Sequence, residues 1–252
     1  MWSAGQYILN CYESSGGLQI IDKYYYTCKD KINDMVVAAV QGQNFMNPIL
    51  ACQDKLIRVL NDRGDDVIYS HKFDAACMSI SLSADISERQ SPILGFGLAN
   101  GGIGVIELMR SKSREYWSLE PIQMNDGDCA PVSLVKVCNL HKRQAQSQFQ
   151  NTDPETIRDF IVARDDGSVE IYAYVLGNVF PSLCYQCKIK STITGIDFGH
   201  ITMASSVDVL LSCYDGQIIA LMDTKKFKKQ GLMANEDAVV TAEEQMNQKQ
   251  QK

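Results

Sequence analysis

The residues of this chain that could carry chemistry are few and scattered. Cys184 and Cys187 form a Cys-x-x-Cys pair, the spacing of half a zinc site or of a redox dithiol. On a strand, a three-residue step turns the two thiols to opposite faces, and no second Cys-x-x-Cys exists to complete a tetrahedral set. Cys138-x-x-His141 offers further ligand types at an unrelated point. Asp165-Asp166-Gly167 and Asp126-Gly127-Asp128 are acidic enough for calcium, but neither has the alternating oxygen ladder with a distant Glu that a calcium loop uses. Both read as turns. The Gly-rich run Gly95–Gly104 lacks the Gly-Lys-Ser/Thr ending of a phosphate loop, and strand-like residues flank it on both sides. It reads as a hairpin turn with a glycine bulge.

Three histidines, His71, His141 and His200, lie far apart, and none joins a Ser, Cys or carboxylate in a catalytic pattern. Arg63-Gly64-Asp65 spells an adhesion tripeptide and reads as a polar loop. Lys225-Lys226-Phe227-Lys228-Lys229 is a basic cluster with two readings, a solvated linker or a contact for acidic lipid head groups. The residues therefore assign no catalytic, cofactor-binding or metal site, and protein-binding residues are not identifiable from sequence. What remains is a scaffold.

The totals bound its setting. With 252 residues, 45% hydrophobic and 21% charged, the chain is long enough to bury a sizeable core. A net charge of −6 gives no basic field to recommend nucleic acid. No run approaches a membrane span, and MWSAGQYILNC lacks the charged and apolar regions of a signal peptide. The expected compartment is the cytoplasm. The nine cysteines are odd in number, irregularly spaced and mostly within apolar runs, as small reduced hydrophobes would be.

The elements that would position any site repeat one plan: apolar strand, tight turn, apolar strand. Five such hairpins run Tyr7–Ile21, Ile49–Leu60, Ile93–Leu108, Phe160–Tyr174 and Val209–Met222. With Gly16, Asp54, Gly101, Gly167 and Gly216 as turn markers, the spacings are 38, 47, 66 and 49 residues. The long one contains a Gln-rich tract at 142–156 that reads as an inserted loop. The rest is the period of propeller blades. In Phe160–Tyr174, a two-residue Asp166-Gly167 turn of type I′ predicts Val162 opposite Ile171 and Phe160 opposite Ala173, with both faces covered.

Short runs between the hairpins supply inner strands (Lys31–Val40, Ala76–Leu82, Val132–Cys138, Ser191–Phe198). More polar runs supply outer ones (Lys23–Thr27, Val67–Phe73, Tyr116–Leu119, Leu183–Ile189). The expected fold is all-β: a partial, open β-propeller of four-stranded WD-type blades over residues 1–222, with three complete and two partial blades. Both partial blades supply a central pair, so they cannot merge to close the ring. Residues 223–252 read as a basic linker and the start of a polar helical or coiled-coil tail.

CKDKINDMVVA (Cys28–Ala38) followed by PILACQDKLIRVL (Pro48–Leu60) resembles one region of the Bardet–Biedl syndrome 7 family. The resemblance continues in order through VIYSHKF, ILGFGLANGGIGVIEL, FIVARDDGSVEIYAY and DVLLSCYDGQIIAL, from Tyr7 to about Met222. It implies part of a seven-bladed propeller, with further blades before Met1, in a non-enzymatic subunit of the BBSome. That complex is a coat-like adaptor that moves membrane proteins into and out of cilia. The implied partners are other BBSome subunits and, through them, ciliary membrane-protein cargo, with peripheral membrane association, no nucleic acid and no cofactor. The implied places are cytoplasm, cilium, basal body and ciliary membrane. Two other readings stand beside it: a propeller scaffold of another trafficking or intraflagellar transport complex, and a propeller enzyme with a cofactor in its channel.

Overall fold

The computed structural model describes residues 1–14, 20–40, 46–83, 93–107, 121–125, 127–140, 157–175, 181–202 and 207–222. The Gln-rich tract at 142–156, the run at 116–119, the basic cluster and the tail lie outside them.

Among the described residues, eighteen strands form five antiparallel sheets. The first holds β1 (Trp2–Ala4), β2 (Ile8–Ser14) and β3 (Ile20–Thr27). Three four-stranded sheets follow. They are β4 (Ile32–Ala38), β5 (Asn47–Cys52), β6 (Leu56–Leu60) and β7 (Val67–Lys72); then β8 (Cys77–Leu82), β9 (Ile93–Leu98), β10 (Ile103–Glu107) and β11 (Pro121–Gln123); then β12 (Val132–Cys138), β13 (Ile157–Arg164), β14 (Ser168–Val175) and β15 (Ser182–Lys188). The last sheet holds β16 (Ile193–Gly199), β17 (Asp208–Cys213) and β18 (Ile218–Leu221). The sheets stack as blades, with β4, β8, β12 and β16 in contact one after another as innermost strands. Among the described residues the five sheets do not close into a ring, as the repeat count leads one to expect.

Each seam between blades is an apolar core. Leu9, Leu50 and Leu60 fill the first seam, and Ile57, Phe73 and Phe96 the second. Phe160, Val137 and Tyr174 fill the third, and Ile161, Val169 and Leu211 the fourth. This explains why β5, β9 and β13 are buried along their whole length: a blade on either side covers both faces.

Three expectations need correction. Gly167 (φ 84°) closes its turn by donating its N–H to Arg164 O at 3.0 Å, while Asp165 and Asp166 keep negative φ. The turn is therefore type I with a glycine bulge, not type I′. That moves the register by one, so Phe160 faces Tyr172, Ile161 faces Ile171 and Val162 faces Glu170. The central hairpin of the first blade also lies one strand earlier than expected: β2 and β3 do pair antiparallel on either side of residues 15–19, but β3 is the blade's outer strand. The hairpin's turn is Gln6-Tyr7 between β1 and β2, Gly16 falls outside the described residues, and Ile20–Thr27 is one strand. Cys28 N–H bonds Tyr7 O just as Phe73 bonds Lys55 and Ile189 bonds Gly167, so Tyr7 is the true marker. Tyr7 to Lys55 is 48 residues, which brings the first interval into the blade period. The third blade's outer strand is β11, beyond the run at 116–119.

Candidate interaction surface and the seams behind it

The four turns that follow the second strands share one device. Each places Asp or Asn before a residue in the left-handed region: Asp54 before Lys55, Asn100 before Gly101, Asp166 before Gly167 and Asp215 before Gly216. Asn100, Asp166 and Asp215 each accept, through Oδ1, the N–H two residues on, at 3.0–3.1 Å. A second device closes the loops after three inner strands. Buried Asn47 accepts from Val40 N–H, Asp159 from Leu140 N–H and Asp208 from Thr202 N–H. Each gives a loop N–H a buried side-chain acceptor.

The residues singled out for chemistry take their places in this scaffold. Asp166 Oδ2 accepts from Lys188 Nζ at 2.9 Å and from Ser168 Oγ at 3.1 Å, and the Lys188 contact leads in holding its carboxyl down at about 2. Asp165 is exposed, and its own N–H bonds Pro131 O. Asp126 lies outside the described residues, and Asp128 is exposed beside Gly127 (φ 94°). Gly95 and Gly97 bring β9 against the next blade: a Cβ on Gly95 would fall inside 3.0 Å of Phe160 and Val137, and one on Gly97 would do the same at Val132. The Gly-rich run is therefore a packing feature.

Cys184 is exposed, while Cys187 is half-buried against the fourth seam. Burial pushes the Cys184 thiol up. Cys28 and Cys52 lie 3.7 Å apart, sulfur to sulfur, in the first seam, and burial pushes Cys52 up to about 12. Cys138 is buried, and His141 lies outside the described residues. Five of the nine cysteines are buried; Cys129 and Cys184 are exposed, so the reading of cysteine as a core residue holds for some and not for all. His71 stacks edge-on against Phe73 on the second blade, and burial holds its ring below the usual pKa. His200 follows β16 on the fifth blade. Gly64 of the Arg63-Gly64-Asp65 turn packs beneath the Trp2 ring and pins the first blade to the second. Among the described residues, no group of three or more His, Cys, Asp or Glu is placed to hold a metal ion.

Sequence reasoning missed the polar groups inside the seams. Arg164 is buried, donates to Glu170 at 2.9 Å, and reaches Gly101 O and Ala130 O. Tyr172 joins Glu170 through its hydroxyl. Arg58 pairs with Asp54 in a bidentate contact. The signal was a charge in the middle of an apolar run, which burial makes costly unless it is paired.

The surface outside the seams offers apolar side chains on the outer strands. Ile20, Ile21 and Tyr25 stand out on β3, and Leu183 and Tyr185 on β15. Two turn tips carry tyrosine, Tyr7 and Tyr214, the latter 84% exposed. Aromatic and aliphatic groups on a rim of unpaired strand edges are the material of protein contacts.

This arrangement has relatives. Residues 1–223 match the family model described as the BBS7 beta-propeller. The chain belongs to that family. A mouse relative, BBSome complex member BBS7, is 27% identical over 210 residues, covering 83% of this chain and 27% of its own length. A Caenorhabditis elegans relative, BBSome complex member bbs-7, is 22% identical over 216 residues, covering 82% and 26%. The chain thus spans about a quarter of these curated relatives. Among solved structures, the propeller of BBS1N in a crystal with ARL6DN, soaked with lead, matches with TM-score 0.54 at 12% identity, over 88% of this chain and 61% of that one. A mercury-soaked crystal of the same complex gives 0.55. At that identity the likeness is one of fold.

Proposed function

We propose that this chain is propeller material of a non-enzymatic BBSome subunit, part of a coat-like adaptor that moves membrane proteins into and out of cilia and supports cilium assembly. The observation that carries this is the family match over residues 1–223. The all-β blades and the apolar rim on β3 and β15 support it, because they suit binding to other subunits. In this reading residues 1–222 are propeller and residues 223–252 are a basic linker and the start of a helical tail. The protein works in the cytoplasm, at the basal body and in the cilium, and meets the ciliary membrane peripherally through the complex. Disrupting the gene in ciliated cells tests the role. The expected result is a changed content of receptors in the ciliary membrane, and cilia with normal number and receptor content would count against it.

A further inference from the structure

The first seam holds two thiols in contact. Cys28 and Cys52 meet sulfur to sulfur at 3.7 Å among Leu9, Ile32, Leu50 and Leu60. They come from different elements. Cys28 lies on the connector that leaves β3 at Thr27 and enters β4 at Ile32, and Cys52 ends β5. That connector is bonded to both blades it joins. Cys28 N–H donates to Tyr7 O and Ile32 N–H to Gln6 O in the first blade, both at 2.8 Å. Lys31 O accepts from Gln53 N–H of the second, also at 2.8 Å. A bond between the two sulfurs would therefore link a residue anchored on the first blade's turn to a buried central strand of the second.

The surroundings suit that bond. Burial and the neighbouring Cys28 sulfur push Cys52 up to about 12, and the Arg58 guanidinium, which Asp54 holds, works in the other direction by favouring the thiolate. A disulfide removes both protons and leaves a neutral group in a dry seam, where a thiolate is costly. The sulfurs need to close from 3.7 Å to about 2.05 Å. Cys28 sits outside both flanking strands, so its side chain can turn without disturbing a ladder.

We propose that Cys28 and Cys52 are a reversible oxidation site, a dithiol that hydrogen peroxide converts to a disulfide locking the connector to the second blade. Cys28, the less completely buried of the two, meets the oxidant first. Its thiolate takes one peroxide oxygen: an S–O bond forms, the O–O bond breaks, and the departing hydroxide leaves as water with the thiol's proton. The Cys52 thiolate then attacks the Cys28 sulfur: the S–S bond forms, the S–O bond breaks, and the second hydroxide leaves as water with the Cys52 proton. Two thiols and one peroxide give one disulfide and two waters, with two electrons passing from sulfur to oxygen. Burial slows both steps and shields the finished bond from glutathione, so the site records sustained oxidation rather than brief pulses.

The test holds the full 252-residue chain in hydrogen peroxide well past complete oxidation of the exposed Cys129 and Cys184, then maps its peptides by mass spectrometry. Cys28 should be joined to Cys52. For a cross-link between residues 24 apart, Tm should rise by roughly 6–12 °C and return with dithiothreitol. Cys28→Ser and Cys52→Ser should each lose the cross-link and the rise. If neither variant folds, the peptide map and melt of the unaltered chain still decide. Cys28 and Cys52 recovered mainly as free thiols or sulfinic acids, or joined to other cysteines, would overturn the proposal. So would a cross-linked chain with an unchanged Tm, or the same rise in Cys28→Ser.

Discussion

Replacing Ser79 with alanine removes one oxygen that serves two seams. Its hydroxyl donates to Asp34 Oδ2 at 3.0 Å and accepts from Val135 N–H at 3.2 Å. Ser79 and Val135 are both buried. Without the acceptor, the Val135 N–H loses its partner in a dry seam, at a cost of about 1–3 kcal/mol. A hydroxyl bond to a carboxylate contributes about 1.5–3 kcal/mol. Asp34 is half-buried and keeps Ile80 N–H, so about 1 kcal/mol of that is a fairer share. The sum is about 3 kcal/mol, a large fraction of the ~5–15 kcal/mol that holds a domain folded. For a chain of this size it corresponds to a fall in Tm of roughly 6–12 °C. Urea unfolding of the full chain, with the m-value unchanged, reads it directly. Ser70→Ala on the exposed side of β7 is the control and should stay within about 0.5 kcal/mol. A Ser79→Ala chain no less stable than the Ser70→Ala chain would refute the claim that inner-strand acceptors tie the blades together.

Three other outcomes are expected. Gly95→Ala pushes a methyl into Phe160 and Val137 and should cost about 1–3 kcal/mol in the same urea assay, with partial recovery on adding Phe160→Leu. Lys55 holds φ 70° where the third to fifth blades have glycine, so Lys55→Gly should raise stability by about 1 kcal/mol, seen as a higher urea midpoint. The Asp166 carboxyl, held down chiefly by Lys188, should titrate by NMR near 2 and move up towards the ordinary carboxylate range in Lys188→Ala. Because its folded value is the lower one, its stabilisation is present above the unfolded value and is lost as pH falls through roughly 4 to 2. For an exposed pair this amounts to less than about 1 kcal/mol.

Much of the fold was legible because a blade writes itself twice: in runs of apolar residues at strand spacing and in the turn between them. Val132–Cys138 was read to the residue for that reason. The register of Phe160–Tyr174 slipped because Asp166-Gly167 suits two turns, and which one forms depends on whether Gly167 alone, or both residues, take positive φ. The first blade's central hairpin was placed one strand late because Gly16-Gly17 advertises a turn loudly, and β2 and β3 do pair on either side of it, whereas Gln6-Tyr7 at the central turn carries no turn-forming residue. The bonds that Ser79 and Ser81 make across the seams were not legible at all. Ser79 and Ser81 in ACMSISL look like ordinary alternation until the neighbouring blades are in place, since their partners lie 45 and 56 residues away. The surface is obscure for a related reason: Leu183–Ile189 reads as an outer strand, but only the assembled blade shows that Leu183 and Tyr185 stand out on it while Cys187 turns into the fourth seam.

The central claim, a BBSome subunit that acts through protein surfaces, is tested most directly by affinity purification. The full-length gene product, tagged and expressed at its native level in ciliated cells, should bring down the other BBSome subunits in near-equal amounts. Recovery of the intact tagged protein without any of them would contradict the account.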